Sequence, residues 1–209
     1  MTVREAILCR RAMRSFDPTE KISWGEVAML LHEATPAPSS LNLQNWEFIV
    51  CLTQEDKDRL KRVAFDQQKI SDASAVVIVL GRDRLHDRVT THPEANCFPP
   101  EEAGEWERLA TWAYGSNPQR RRDEAFRSCS LFAMTFMLLA QDQGWWTAPI
   151  GGFDSGELLS AFDVPEGYIP VILVAIGQPG EKPFVSPRPK RVPVEELMHA
   201  GRFGRRGPG

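Results

Sequence analysis

Apolar positions along this chain follow two periods, and the changes between them mark out the elements. Val3, Ala6 and Ile7 recur at helical spacing before the chain turns cationic at Arg10, Arg11 and Arg14, as an amphipathic helix running into a polar loop would. Ser23 and Glu26 have the spacing of a capping box ahead of Val27, Leu30, Leu31 and Ala34 on one helical face, and Pro36 and Pro38 stop that helix. Trp46 to Leu52 reads as a strand, with Trp46 as core, and Thr53 with Asp56 begins a helix through Leu60 and Val63. Ser74 to Leu80 is β-branched and apolar on both faces, which predicts a central strand covered on each side, and Ile169 to Ile176 repeats that character. Between Glu124 and Gln143, Ala125, Cys129, Phe132, Ala133, Phe136, Met137 and Ala140 predict a long helix for the core or for a partner subunit. Asp154 caps a short helix carrying Leu158, Leu159 and Phe162.

Strands spaced by helices without strict alternation predict an α+β fold, a mixed sheet with helices packed on it. Residues 82–122 break the pattern, with Trp106, Trp112 and Tyr114 among charges and prolines, and read as an irregular peripheral excursion. Its aromatics either form a lid or anchor the excursion to the core, and anchoring is the preferred reading. Acceptor or ligand selectivity is expected to rest there. The expected organisation is one domain over 1–199 and a loosely ordered glycine-rich tail over 200–209.

With 209 residues, 42% apolar, the chain can bury a sizeable core. A net charge of -3 argues against wholesale binding to nucleic acid or an anionic membrane, so any anion site must be local. The charged start lacks a signal-peptide core and no apolar run approaches a membrane span, which with the scattered Cys9, Cys51, Cys97 and Cys129 predicts a cytoplasmic protein with reduced thiols. Cys51 and Cys129 fall in apolar runs and read as core.

Four separated segments carry candidate chemistry. Arg10, Arg11 and Arg14 supply planar donors suited to a phosphate or other extended anion, though on the residues alone a solvated helix end is the preferred reading. Pro38, Ser39, Ser40, Asn42 and Gln44 form a polar loop of small side chains, either a plain connector or a surface that approaches a ring closely. Pro149, Ile150, Gly151 and Gly152 predict a strand end running into bare backbone that can face a flat group, or a simple turn. Arg188, Lys190 and Arg191 stand in a proline-spaced segment able to clamp a phosphate. His86 and His92, near Asp83 and Asp87, lack a metal-site spacing and read as solvated surface, as does the helix start at Arg120, Arg121 and Arg122. No nucleophile elbow and no G-x-G-x-x-G fingerprint occur.

Taken in order, RRAMRSF, APSSLNLQNWEF, QKISDASAVVIV, APIGGFD and PRPKRVPVEEL resemble the nitroreductase family over nearly the whole chain outside 82–122 and the last ten residues. The resemblance implies a mainly antiparallel sheet flanked by helices in an intertwined homodimer that binds FMN and draws electrons from NADH or NADPH for a small acceptor, with no metal. It implies that Arg10, Arg11 and Ala12 line the ribityl chain and phosphate. On the same resemblance, Arg14 and Lys69 are expected at the pyrimidine edge as electrostatic tuners, Pro149 to Gly152 along the ring, and Arg191, with Arg188 or Lys190, at the phosphate. The resemblance further implies that the loop from Pro38 to Gln44 reaches the flavin from the neighbouring subunit. Because the flavin carries the chemistry, no catalytic acid or base is expected. Relatives with other roles (flavin sequestration, flavin breakdown, reductive dehalogenation) keep an alternative open. Ala12 departs from the usual serine, Asn45 from the usual proline, and Asp66 from an amide found in some members.

Overall fold

The computed structural model describes residues 1–183 and 187–207. Its centre is a sheet of four strands, β1 (Trp46–Cys51), β2 (Ala75–Arg82), β3 (Trp146–Ile150) and β4 (Tyr168–Gly177), in the order β1-β2-β4-β3. All three pairings are antiparallel. The parallel part of the expected mixed sheet is confined to a bridge between Ala12 and Thr147.

Side-chain alternation along β2 sends successive residues to opposite faces. Val77 and Val79 pack with Val27, Leu30, Phe132 and Phe136, from α2 (Trp24–Ala34) and α7 (Pro118–Asp142). Val76, Ile78 and Leu80 pack with Leu60, Val63 and Leu158, from α3 (Gln54–Val63) and α8 (Ser155–Ala161). β4 divides in the same way, Val174 and Ile176 to one side and Leu173 and Ala175 to the other. The register slips between Val79 and Leu80, opposite Pro170, at an irregularity of the kind that lets a proline sit in an inner strand.

The capping residues act as the sequence predicts. Ser23, Thr53 and Asp154 each accept a backbone N–H in the first turn of their helices, with a full capping box at Ser23; Thr2, not singled out from the sequence, forms a second capping box at the start of α1 (Val3–Cys9). Trp46 is core, its ring 5.0 Å from that of Phe132; Cys51 and Cys129 are buried thiols that burial pushes up to about 12.

Two expectations are corrected. The long helix begins at Pro118, six residues before Glu124, with Asn117 accepting from the Arg120 N–H. Arg121 is therefore not a solvated residue of its first turn, since its guanidinium pairs with Asp83 at 3.2 Å. The excursion is also less irregular than its composition implies. Between the end of β2 and α7 it holds α5 (Arg88–Thr91), three single 3-10 turns and the twelve-residue α6 (Ala103–Tyr114). A small core of Leu43, Leu85, Val89, Trp106, Ala110 and Tyr114 lies beneath it, while Trp112 is exposed. Residues 200–207 fold back, with Ala200 N–H donating to the Arg205 carbonyl at 2.7 Å; Pro208 and Gly209 of the expected tail lie outside the described residues.

At Gly81 an added Cβ would sit 2.6 Å from the Ala125 Cβ of α7, whereas one at Gly104 would meet nothing within 4 Å. Gly81→Ala is therefore expected to lower unfolding stability by about 1–3 kcal/mol, and Gly104→Ala to leave it equal or slightly higher. Urea unfolding of the two variants checks the contrast.

Candidate functional site

After α1 the chain runs beside the edge strand β3, with Met13 N–H donating to the Thr147 carbonyl at 3.1 Å and Arg14 N–H to that of Pro183 at 2.7 Å. In this extended stretch Met13 turns inward and is buried, which leaves Ala12 and Arg14 exposed. Arg10 ends α1 half-buried, and Arg188 donates to the carbonyls of Leu8 and Arg10, tying the C-terminal segment onto that helix end. Burial pushes the Arg10 guanidinium down, and the neighbouring charges of Arg188 and Arg191 push it further. Lys69, in α4 (Gln68–Asp72), is likewise pushed down, first by burial and then by Arg14. Among the described residues none of Arg10, Arg14, Lys69, Arg188 and Arg191 is in an ion pair with a carboxylate.

The strand end lies against the same edge. Ile150 is buried and paired with Leu173, Pro149 is half-buried, and Gly151 and Gly152 follow exposed. A Cβ at Gly151 would meet nothing, so open space lies over this backbone. Gln67 Nε2 donates to the Gly152 carbonyl at 2.8 Å. Phe65 and Asp66, which precede it, hold left-handed φ values of 54° and 53°, with the Phe65 ring 67% exposed beside Gly152. Sequence reasoning assigned Phe65 no role; an aromatic in the polar connector just before Lys69 was the available signal.

The loop from Pro38 to Gln44 is elsewhere, leading into β1 on the opposite edge of the sheet. Three strand spacings separate the two edges, about 14 Å. Leu41, Asn42 and Gln44 all have left-handed φ, 50°, 52° and 44°, a conformation that side chains with Cβ disfavour unless their surroundings impose it. Those surroundings are specific. Ser39 Oγ accepts from Gln44 N–H at 2.9 Å, Tyr114 OH donates to Ser40 Oγ at 2.7 Å, Trp106 Nε1 donates to the Leu41 carbonyl at 2.9 Å, and Asn42 Nδ2 to that of Ala95 at 3.0 Å. Two aromatics of the excursion thus anchor it and clamp this loop. His86 and His92 are not freely solvated either: the His86 side chain is 14% exposed, and His92 lies against Arg88.

One chain therefore gathers Arg10, Arg11, Ala12, Arg14, Lys69, Pro149 to Gly152, Arg188 and Arg191 along β3, and holds Pro38 to Gln44 by β1. A sequence model described as the nitroreductase family matches residues 7–178. The chain belongs to the nitroreductase family. It is 33% identical over 177 residues to YodC of Bacillus subtilis, provisionally assigned as an NAD(P)H nitroreductase, covering 83% of this chain and 88% of that one. It is 28% identical to the oxygen-insensitive NAD(P)H nitroreductase of Salmonella typhimurium, covering 95% and 99%. Among solved structures, a provisionally assigned nitroreductase of Exiguobacterium sibiricum in complex with FMN superposes with a TM-score of 0.83 at 30% identity, covering 96% and 97%. The candidate chemistry of this chain lies at the edges of the sheet rather than at its centre.

The unpaired cations predict a salt effect. Raising ionic strength from about 0.01 M to about 0.1 M shortens the Debye length from ~30 Å to ~10 Å, so repulsion within the cluster should weaken and the melting temperature rise. In Arg10→Gln that slope should be shallower. Equal slopes by calorimetry would show that Arg10 does not feel its neighbours.

Proposed function

We propose that this chain is an FMN-dependent oxidoreductase that takes electrons from NADH or NADPH and passes them to a small electrophilic acceptor such as a nitroaromatic or quinone, working as a homodimer in the reducing cell interior. Bound FMN supplies a ring that takes up hydride and gives up two electrons, so that NAD(P)H, a proton and the acceptor become NAD(P)+ and the reduced acceptor. Donor and acceptor use the same face in turn, a ping-pong order.

The observation that carries this reading is the division of the candidate residues between opposite edges of the sheet. A cofactor touching both groups is best met by two copies, with the loop from Pro38 to Gln44 brought by the neighbour. The unpaired cations support the choice of ligand. Arg10, with Arg188 and Arg191 beside it, carries repulsion that a phosphate dianion relieves. Arg14 and Lys69 set a positive field at one edge of the site, which favours a cofactor that gains negative charge on reduction. The open space over Gly151 leaves room for a planar ring against bare backbone, with Gly152 packed beside it under Gln67 and Phe65. Unpartnered apolar side chains suit a dimer: Trp24, Met29, Leu131 and Met134 on α2 and α7, and Val192, Leu197 and Met198 in the C-terminal segment, are all exposed in the single chain.

Anaerobic spectroscopy tests the reading. The purified protein, or the protein with added FMN, should hold yellow flavin that NADH or NADPH bleaches; a chain that takes up no FMN overturns the assignment. The shared site is tested by mixing two inactive variants, Arg14→Glu and Asn42→Trp, through reversible unfolding. If each site joins β3 residues of one copy to the loop of the other, about a quarter of the sites are restored, one per mixed dimer. No recovery would place both groups in one subunit's site.

A further inference from the structure

Beneath the clamped loop lies a cavity of about 330 Å³, lined by Asn42, Leu43, Gln44, Trp46, Arg88, His92, Glu94 and Ala95. That volume is at the small end for ligand pockets, enough for a one-ring molecule and far short of a dinucleotide. Its walls are of two kinds. Leu43 and Trp46 are buried apolar side chains, and Arg88 brings a guanidinium whose side chain is only 12% exposed.

The charge around Arg88 does not balance. Its Nη2 donates to Glu47 Oε1 at 2.7 Å, but Arg82 Nε donates to the same oxygen at 3.1 Å, so two guanidinium groups share one carboxylate. Arg88 also donates to the Trp46 carbonyl at 3.3 Å and lies 3.2 Å from the ring nitrogens of His92, while its buried Nε has no partner. One positive charge is left over in a concave, half-desolvated place, where an anion meets little competition from water. Glu94 is exposed and opposes any anion from the rim.

We propose that this cavity binds the carboxylate end of a small acceptor, so that the enzyme prefers monoanionic, carboxylate-bearing electrophiles to their neutral analogues. A single surplus charge matches a monoanion; a dianionic phosphate would enter half-compensated. The apolar wall takes the body of the acceptor, and Asn42 and Gln44 border the opening toward the place where the loop is expected to meet the cofactor of the neighbouring copy. The proposal rests on the functional reading above and adds to it the acceptor's chemical class.

The test uses the FMN-loaded protein and two isosteric acceptors, 4-nitrobenzoate and 4-nitrobenzamide, compared by kcat/KM with the same donor. The wild type should favour the benzoate by about tenfold or more, the worth of a charge-assisted hydrogen bond, and Arg88→Met should bring the ratio near unity. The ratio divides out any loss common to both acceptors. A wild type without preference, or a preference that survives in Arg88→Met, overturns the proposal. So does a selective rise in KM for NADPH over NADH in that variant, which would give the cation to the donor's phosphate. Calorimetric titration with benzoate reads the cavity without turnover, so it separates failure of this proposal from failure of flavin reduction. Saturable benzoate binding, tightened two- to threefold in Glu94→Gln by loss of a screened surface charge, supports the assignment even if Arg88→Met does not fold; absent binding, or no response to Glu94→Gln, overturns it.

Discussion

Burial of β2 and β4 on both faces is the constraint from which the rest of the molecule follows. Each inner strand must find helices above and below it, and α2 with α7 on one side and α3 with α8 on the other meet that demand. Nothing polar can be spared for chemistry in such a centre. Function is pushed to β1 and β3, and those two edges are as far apart as the sheet allows. The proposed pairing of two copies would bring both sets of groups to one ligand, and Trp24, Met29, Leu131 and Met134 on α2 and α7 are exposed in the single chain.

The candidate site breaks local rules that the rest of the chain keeps. Among the described residues, five of the six non-glycine positions with left-handed φ, namely Leu41, Asn42, Gln44, Phe65 and Asp66, fall in the two candidate loops, one before β1 and one before α4. Like charges gather around Arg10 and around Arg14 without carboxylates to offset them. Strain and repulsion of this kind weaken a fold unless something else holds it, and they concentrate where a ligand completes the structure. Glu47, shared by Arg82 and Arg88, repeats the pattern beyond the cation cluster.

What could be read from the residues alone depended on how local the cause was. Ser23 with Glu26 and Thr53 with Asp56 announce helix starts within a single turn, and the β-branched run from Ala75 to Leu80 states its own burial. The ordered motifs pointed to the residues that the fold then groups along β3, but residue type says nothing of which edge a segment will reach. The excursion reads as irregular because its order is fixed from a distance, Trp106 meeting Leu41 across 65 positions and Tyr114 meeting Ser40 across 74, although its aromatics do anchor it as expected. Phe65 escaped notice for a related reason, since a left-handed phenylalanine is imposed by surroundings that no local pattern encodes. Arg88 and Glu47 likewise lie 41 positions apart and carry no motif.

The clamp of Trp106 and Tyr114 on the loop before β1 bears on how freely this part of the chain could be replaced. The segment between β2 and α7 has a small core of its own and so resembles a separable module. Here the module also holds a neighbouring turn in a shape it would not keep alone. A chimera that imports a foreign segment without an indole and a phenol at those two places leaves the loop without the two hydrogen bonds that hold its left-handed turn.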